Sequence, residues 1–119
     1  MPYKNKADQA AASRRHYEQN KDVMIARAYQ FKRKLIGEIR LYLVNLKEQT
    51  PCGDCGIQYP YYVMQFDHVR GVKLFNVATH HFWSSKQVVL DEVAKCEIVC
   101  ANCHAERTHQ QRQGSMEDI

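Results

Sequence analysis

No stretch of this chain approaches the roughly 20 apolar residues that a membrane-spanning helix needs. The N-terminal residues MPYKNKADQ have none of the apolar core of a signal peptide. No membrane contact is therefore expected, and a soluble, cytoplasmic protein with reduced thiols is. Internal repeats and low-complexity tracts are missing too. The five cysteines are an odd number, so they cannot all pair internally as disulfides. With 119 residues the chain has room for one domain and a modest core, and a structural metal would add stability to it.

Charge is present but uneven. Residues 1–51 carry eleven Lys and Arg against five Asp and Glu, a balance of +6, whereas residues 52–119 carry six against eight, a balance of −2. A basic segment joined to a near-neutral, Cys/His-rich one points to a polyanionic partner. Residues 3–20 read as a polar helix. A second, longer helix is expected to start at the cap Asn20 and to end before Pro51. Along it Met24, Ala28, Phe31, Leu35, Ile39, Tyr42 and Leu46 recur at steps of three and four and form a seam for packing or for a homodimer. Arg27, Lys32, Arg33, Lys34 and Arg40 lie between them, and Gly37 marks a possible bend.

The remainder reads as α+β. PCGDCG (51–56) is a tight turn. YYVMQFDH (61–68) is a strand ending at an Asp-His pair, and GVKLFNV (71–77) is its expected returning strand. ATHHFWS (78–84) is a loop. SKQVVLDEVAK (85–95) is a short helix capped by Ser85, EIV (97–99) a short strand, and a helix follows from 101 or 102 to about 111. The chain thus divides into a basic helical extension (1–50), a compact domain (51–111) and a disordered tail (112–119).

Cys52-x2-Cys55 and Cys100-x2-Cys103 are two knuckles of the same form. Thiolates three residues apart in a tight turn hold one side of a tetrahedral ion, so the two pairs complete the four-sulfur set that Zn²⁺ favours. Such a closed site leaves no open coordination position and is structural. Cys96 is then a small, buried apolar residue. Asp67 and His68 at a strand end, with His104 directly after the last knuckle cysteine, make a second constellation. The four-cysteine clamp would draw the helix carrying His104 towards the strand carrying Asp67.

FDHVRG followed by CANCHAERTH, framed by four cysteines, resembles the HNH nucleases of small phage and bacterial type. The resemblance covers roughly residues 52–109. It implies a ββα-metal, treble-clef-like core stapled by zinc and preceded by long basic helices. It also implies cleavage of double-stranded DNA to 5′-phosphate and 3′-hydroxyl ends, in a bacterial or phage-infected cell. By that resemblance Asp67 and His104 are ligands of a catalytic Mg²⁺ or Mn²⁺, with Ni²⁺ also suitable, and His68 is the general base. The chemistry agrees: a carboxylate and an imidazole leave most metal positions open, and a neutral histidine can take a proton from water. One residue departs from the pattern. Lys95 stands where the family places its middle Asn, and Asn76 or Asn102 is left to hold the loop.

Arg27, Lys32, Arg33, Lys34, Arg70, Lys73, Arg107 and His109 are the DNA-binding candidates. His109 falls about 140° round the helix from His104 at roughly 100° per residue, which suits a phosphate contact and not the same ion. His80 and His81, beside Phe82 and Trp83, read as packing or surface residues. The alternative to a nuclease is a non-catalytic, zinc-stabilised nucleic-acid-binding module.

Overall fold

The computed structural model describes residues 5–117 and divides the chain into two units, Met1–Lys34 and Leu35–Ile119. The secondary structure runs α1 (Lys6–Gln49), β1 (Met64–His68), a 3₁₀ turn (His80–Phe82), α2 (Lys86–Val93), β2 (Cys96–Cys100) and α3 (Ala101–Glu117).

α1 is a single helix of 44 residues, not two. Its N-terminal cap is Asn5, whose side-chain oxygen accepts from the Asp8 N–H at 2.9 Å. Asn20 caps nothing. It lies mid-helix, and its amide donates to the His16 carbonyl one turn back at 2.8 Å. An Asn with a carbonyl within reach bonds to it without breaking the helix. The helix stops at Gln49 because Thr50 precedes Pro51, which disfavours the α conformation in the residue before it.

In the first unit the apolar side chains of α1 face solvent: Met24 is 38% exposed and Phe31 is 72% exposed. The seam expected over Met24–Leu46 therefore buries only its C-terminal half. In the second unit Ile39 and Leu43 join Phe75, Val77, Trp83 and Val89 in one core, with Leu35, Ile36, Tyr42 and Phe66 packed against it.

β1 pairs with β2 in a two-stranded antiparallel sheet, with Met64 opposite Cys100 and His68 opposite Cys96. Residues 71–77 are not the returning strand. They form an irregular segment that drops Phe75 and Val77 into the core, where the Val77 carbonyl accepts from the Trp83 indole N–H at 2.9 Å. The strand-like composition reflects this anchoring and not a ladder. Ser85 caps α2 as expected, accepting from the Val88 N–H at 3.2 Å. α3 runs past residue 111 and stays helical through Glu117. The tail expected to be disordered from 112 is therefore helical that far, and residues 118–119 lie outside the described residues.

Candidate metal centre and the facing Asp-His cluster

The four cysteines come together from the turn after α1, the end of β2 and the first turn of α3. Sγ atoms of Cys52, Cys55, Cys100 and Cys103 all lie within 4.8 Å of one another. Sulfurs 2.3 Å from a tetrahedral ion stand about 3.8 Å apart, so the set could hold a metal such as zinc. The turn is built for this. The Gly56 N–H closes it on the Cys52 carbonyl at 2.9 Å, and Gly56 has φ +74°, a conformation that favours glycine. The Gly53 N–H reaches the Ile98 carbonyl at 2.9 Å. Cys52 Sγ accepts from the Cys100 N–H at 3.2 Å, and Cys100 Sγ from the Cys103 N–H at 3.4 Å. Burial pushes the Cys52 thiol up, but backbone N–H groups of Cys55, Cys100 and Asp54 outweigh it and bring it to about 6. Cys103 is pushed up to about 12 by its hydrogen bond to Cys100 and by burial. Four thiols this close cannot all carry negative charge side by side, and a divalent cation between them would remove that conflict.

Cys96 is half-buried, stands at the other end of β2 from Cys100 and packs against the core around Ile39 and Trp83, apart from the four-cysteine cluster. Its Sγ lies 3.5 Å from the Glu92 carbonyl. Burial, with the negative charges of Glu92 and Asp67 added, pushes the thiol up to about 11, so it is an inert packing group.

Side chains alternate along β1, and this separates the Asp-His pair. Gln65 and Asp67 face α3; Phe66 faces the hydrophobic core. Asp67 Oδ1 lies 3.4 Å from His104 Nε2. The other His104 nitrogen, Nδ1, lies 2.5 Å from the Gln65 side-chain oxygen. Gln65 Oε1 only accepts, so Nδ1 carries a hydrogen, and Nε2 is the nitrogen presented to the Asp67 carboxylate. Either a proton on Nε2 or a cation between the two groups would satisfy this approach. Cis ligands of an octahedral ion at 2.1 Å stand about 3 Å apart, so a shared ion would draw the pair a few tenths of an ångström closer than the 3.4 Å found here.

His68 faces the other way. Its Nε2 lies 2.9 Å from Oε2 of Glu92, a carboxylate on α2 that is 1% exposed. Glu92 also accepts from Lys95 Nζ at 2.9 Å and from the Leu74 N–H at 3.2 Å. Burial alone would raise its carboxyl; Lys95, Leu74 and His68 more than offset this and hold it below the ordinary carboxylate range. The structure thus brings Asp67 and His104 together and leaves His68 on the opposite face of the strand.

Arg107 is placed differently from the phosphate contact expected of it. Its guanidinium bridges Asp54 in the first knuckle, Asp67 on β1 and Glu97 on β2 at 2.6–2.8 Å. Those carboxylates raise its already high pKa, and the guanidinium in turn holds the Asp54 carboxyl below its ordinary range. Arg70 Nη1 donates to the Ala94 carbonyl at 2.6 Å, at the end of α2. Lys73 and His109 are exposed, as are Arg27, Arg33 and Lys34 on α1, with Lys32 half-buried. The rings of His80 and His81 lie 4.3 Å apart in the 3₁₀ turn, their planes tilted by 36°. Lys95, at the position where an Asn was expected, donates to the Val72 carbonyl at 2.7 Å, and its own carbonyl accepts from the Val69 N–H at 2.9 Å. It thereby ties down the segment after His68. Asn76 and Asn102 are exposed.

Sequence reasoning missed Glu92, Gln65, Asp54 and Glu97. One of them left a trace: Glu92 is three residues from Val89 and three from Lys95, so it shares the apolar face of α2. No family model, no curated protein and no solved structure matches the chain.

Proposed function

We propose that this protein is a metal-dependent nuclease of the HNH type, hydrolysing phosphodiester bonds in double-stranded DNA to 5′-phosphate and 3′-hydroxyl ends. The observation that carries this is the approach of Asp67 Oδ1 to His104 Nε2 at 3.4 Å, with the second nitrogen of His104 held by Gln65. Metal-ligating histidines are commonly oriented through the other ring nitrogen in this way. Asp67 and His104 hold Mg²⁺ or Mn²⁺, and Ni²⁺ also suits the donor set. The ion when bound supplies a Lewis acid at the scissile phosphate and stabilises the leaving oxygen. Arg107 fixes the Asp67 carboxylate through its other oxygen at 2.8 Å. His68, turned from Asp67 towards Glu92 but standing at the last position of β1, is assigned the proton of the attacking water, which it would reach round the strand end. Arg27, Lys32, Arg33 and Lys34 supply affinity for the DNA backbone, and zinc on the four cysteines holds the frame.

One observation favours a second function, a zinc-stabilised nucleic-acid-binding module without catalysis. Asp67 already has a cation in Arg107, and His68 already has a partner in Glu92, so each is satisfied without a second ion. A plasmid-relaxation assay separates the two. Supercoiled DNA with Mg²⁺ or Mn²⁺ is expected to be nicked. His68→Ala, Asp67→Ala and His104→Ala are expected to lose nearly all cutting while keeping one zinc per chain. Retained cutting in His68→Ala refutes its role as base. Binding without cutting across several divalent ions supports the module.

A further inference from the structure

Glu92 is the most buried charged side chain among the described residues, at 1% exposed, and three donors surround it. Lys95 Nζ approaches Oε1 at 2.9 Å, while the Leu74 N–H and His68 Nε2 approach Oε2 at 3.2 and 2.9 Å. An ammonium and a backbone N–H can only donate. The carboxylate between them can only accept, so the imidazole nitrogen facing it must carry a hydrogen. Among the described residues Nε2 is the only ring nitrogen of His68 with a hydrogen-bond partner.

We propose that Glu92 is a positioning residue for His68: it holds the ring as the Nε2–H tautomer and leaves Nδ1 as the free acceptor that takes a proton from water. The use of Nδ1 rests on the nuclease function proposed above. The tautomer rests on geometry alone.

Packing alone does not account for Glu92. Its neighbour on the buried face of α2 is Val89, and an apolar residue there is commonly as stabilising as a buried ion pair. The carboxylate instead spans from α2 to the end of β1, and from there to the segment that follows. Lys95 extends the reach: it bonds the Val72 carbonyl at 2.7 Å while paired with Glu92. The ring of His68 and the backbone at 72 and 74 are thereby fixed by one charged pair. Orienting carboxylates behind a catalytic histidine act in this way, and losing the tautomer costs rate, not substrate binding.

The test uses the full chain loaded with zinc and ¹⁵N-labelled at histidine. At about pH 8, where an ordinary imidazole is neutral, the His68 ring, assigned by its loss in His68→Gln, is expected to give Nε2–H and bare Nδ1 signals. In Glu92→Gln it is expected to relax to a mixture, with kcat for plasmid nicking falling about 10–100-fold and KM for DNA unchanged. An Nδ1–H or mixed ring in the wild-type protein overturns the proposal. So does an unchanged tautomer in Glu92→Gln, or a loss confined to KM. Should Glu92→Gln not fold, the wild-type spectrum decides. If the wild-type protein cuts no DNA, the nuclease function fails, while the spectra still decide whether Glu92 sets the ring.

Discussion

Stripping the metal from the four-cysteine cluster is expected to unfold the unit from Leu35 onwards. Structural zinc contributes an apparent binding free energy of about 10–16 kcal/mol in small domains at neutral pH. At about 0.05–0.15 kcal/mol per residue, the stretch from Leu35 to Ile119 has a net stability of about 4–13 kcal/mol. The metal term is thus as large as the whole margin. The packing round the cysteines shows why a metal held there would count for so much. The second core cluster has four buried members, Cys52, Met64, Val99 and Cys100, and two of these are the ligands themselves. The sheet that joins it to the rest has only two strands of five residues. Trp83 is the right reporter, because it is the only tryptophan, is 2% exposed and lies in the other cluster. Far-UV ellipticity is a poor one, dominated by the 44 residues of α1. The assay is Trp83 emission and zinc content during titration with a strong chelator, repeated on Cys100→Ser. Emission should shift to the red as zinc leaves, and zinc added back should reverse it. An unshifted emission and an unchanged Tm at zero zinc would refute a structural role for the cluster.

The seam on α1 divides at the boundary between units, and truncations should divide with it. Ile39→Ala, at a fully buried site, should cost about 2–5 kcal/mol in denaturant melts, whereas Phe31→Ala should change stability by less than about 0.5 kcal/mol. Lys95→Met should cost about 1.5–3 kcal/mol at neutral pH, since it removes a charge-assisted bond to a buried carboxylate. The folded-state pKa of Glu92 lies below its ordinary value. The stability from this pairing is therefore present above about pH 4.3 and lost as pH falls through the lower folded value. Wild type and Lys95→Met should converge on acidification, checked by Tm against pH with zinc content monitored. Neutralising Arg27, Lys32, Arg33 and Lys34 should lower the slope of log affinity against log salt by up to about 0.9 for each phosphate that the helix no longer neutralises. An unchanged slope in a filter-binding or anisotropy titration would remove α1 from the DNA interface.

Local chemistry in the sequence determined much of this protein. The two CxxC knuckles, the Ser85 cap of α2, the stop of α1 before Pro51 and the short strands around Phe66 and Ile98 each depend on neighbours a few residues away. Spacing and composition record such neighbours. The juxtaposition of Asp67 with His104 was legible for a related reason: two knuckles that meet in one four-cysteine cluster leave little freedom to the strand and helix attached to them.

Tertiary structure decided the rest. β1 takes β2 as its partner instead of residues 71–77, because Phe75 and Val77 are drawn into the core around Ile39 and Trp83. Burial of that kind looks like strand composition from the sequence. Alternation along β1 turns His68 away from Asp67 and towards Glu92, and only the folded position of α2 reveals that a carboxylate is waiting there. Arg107 is claimed by Asp54, Asp67 and Glu97. These three are scattered along the chain and converge at one guanidinium only when the knuckle, sheet and α3 are assembled. Electrostatic partners follow distance in space, and a sequence carries no periodic trace of that distance.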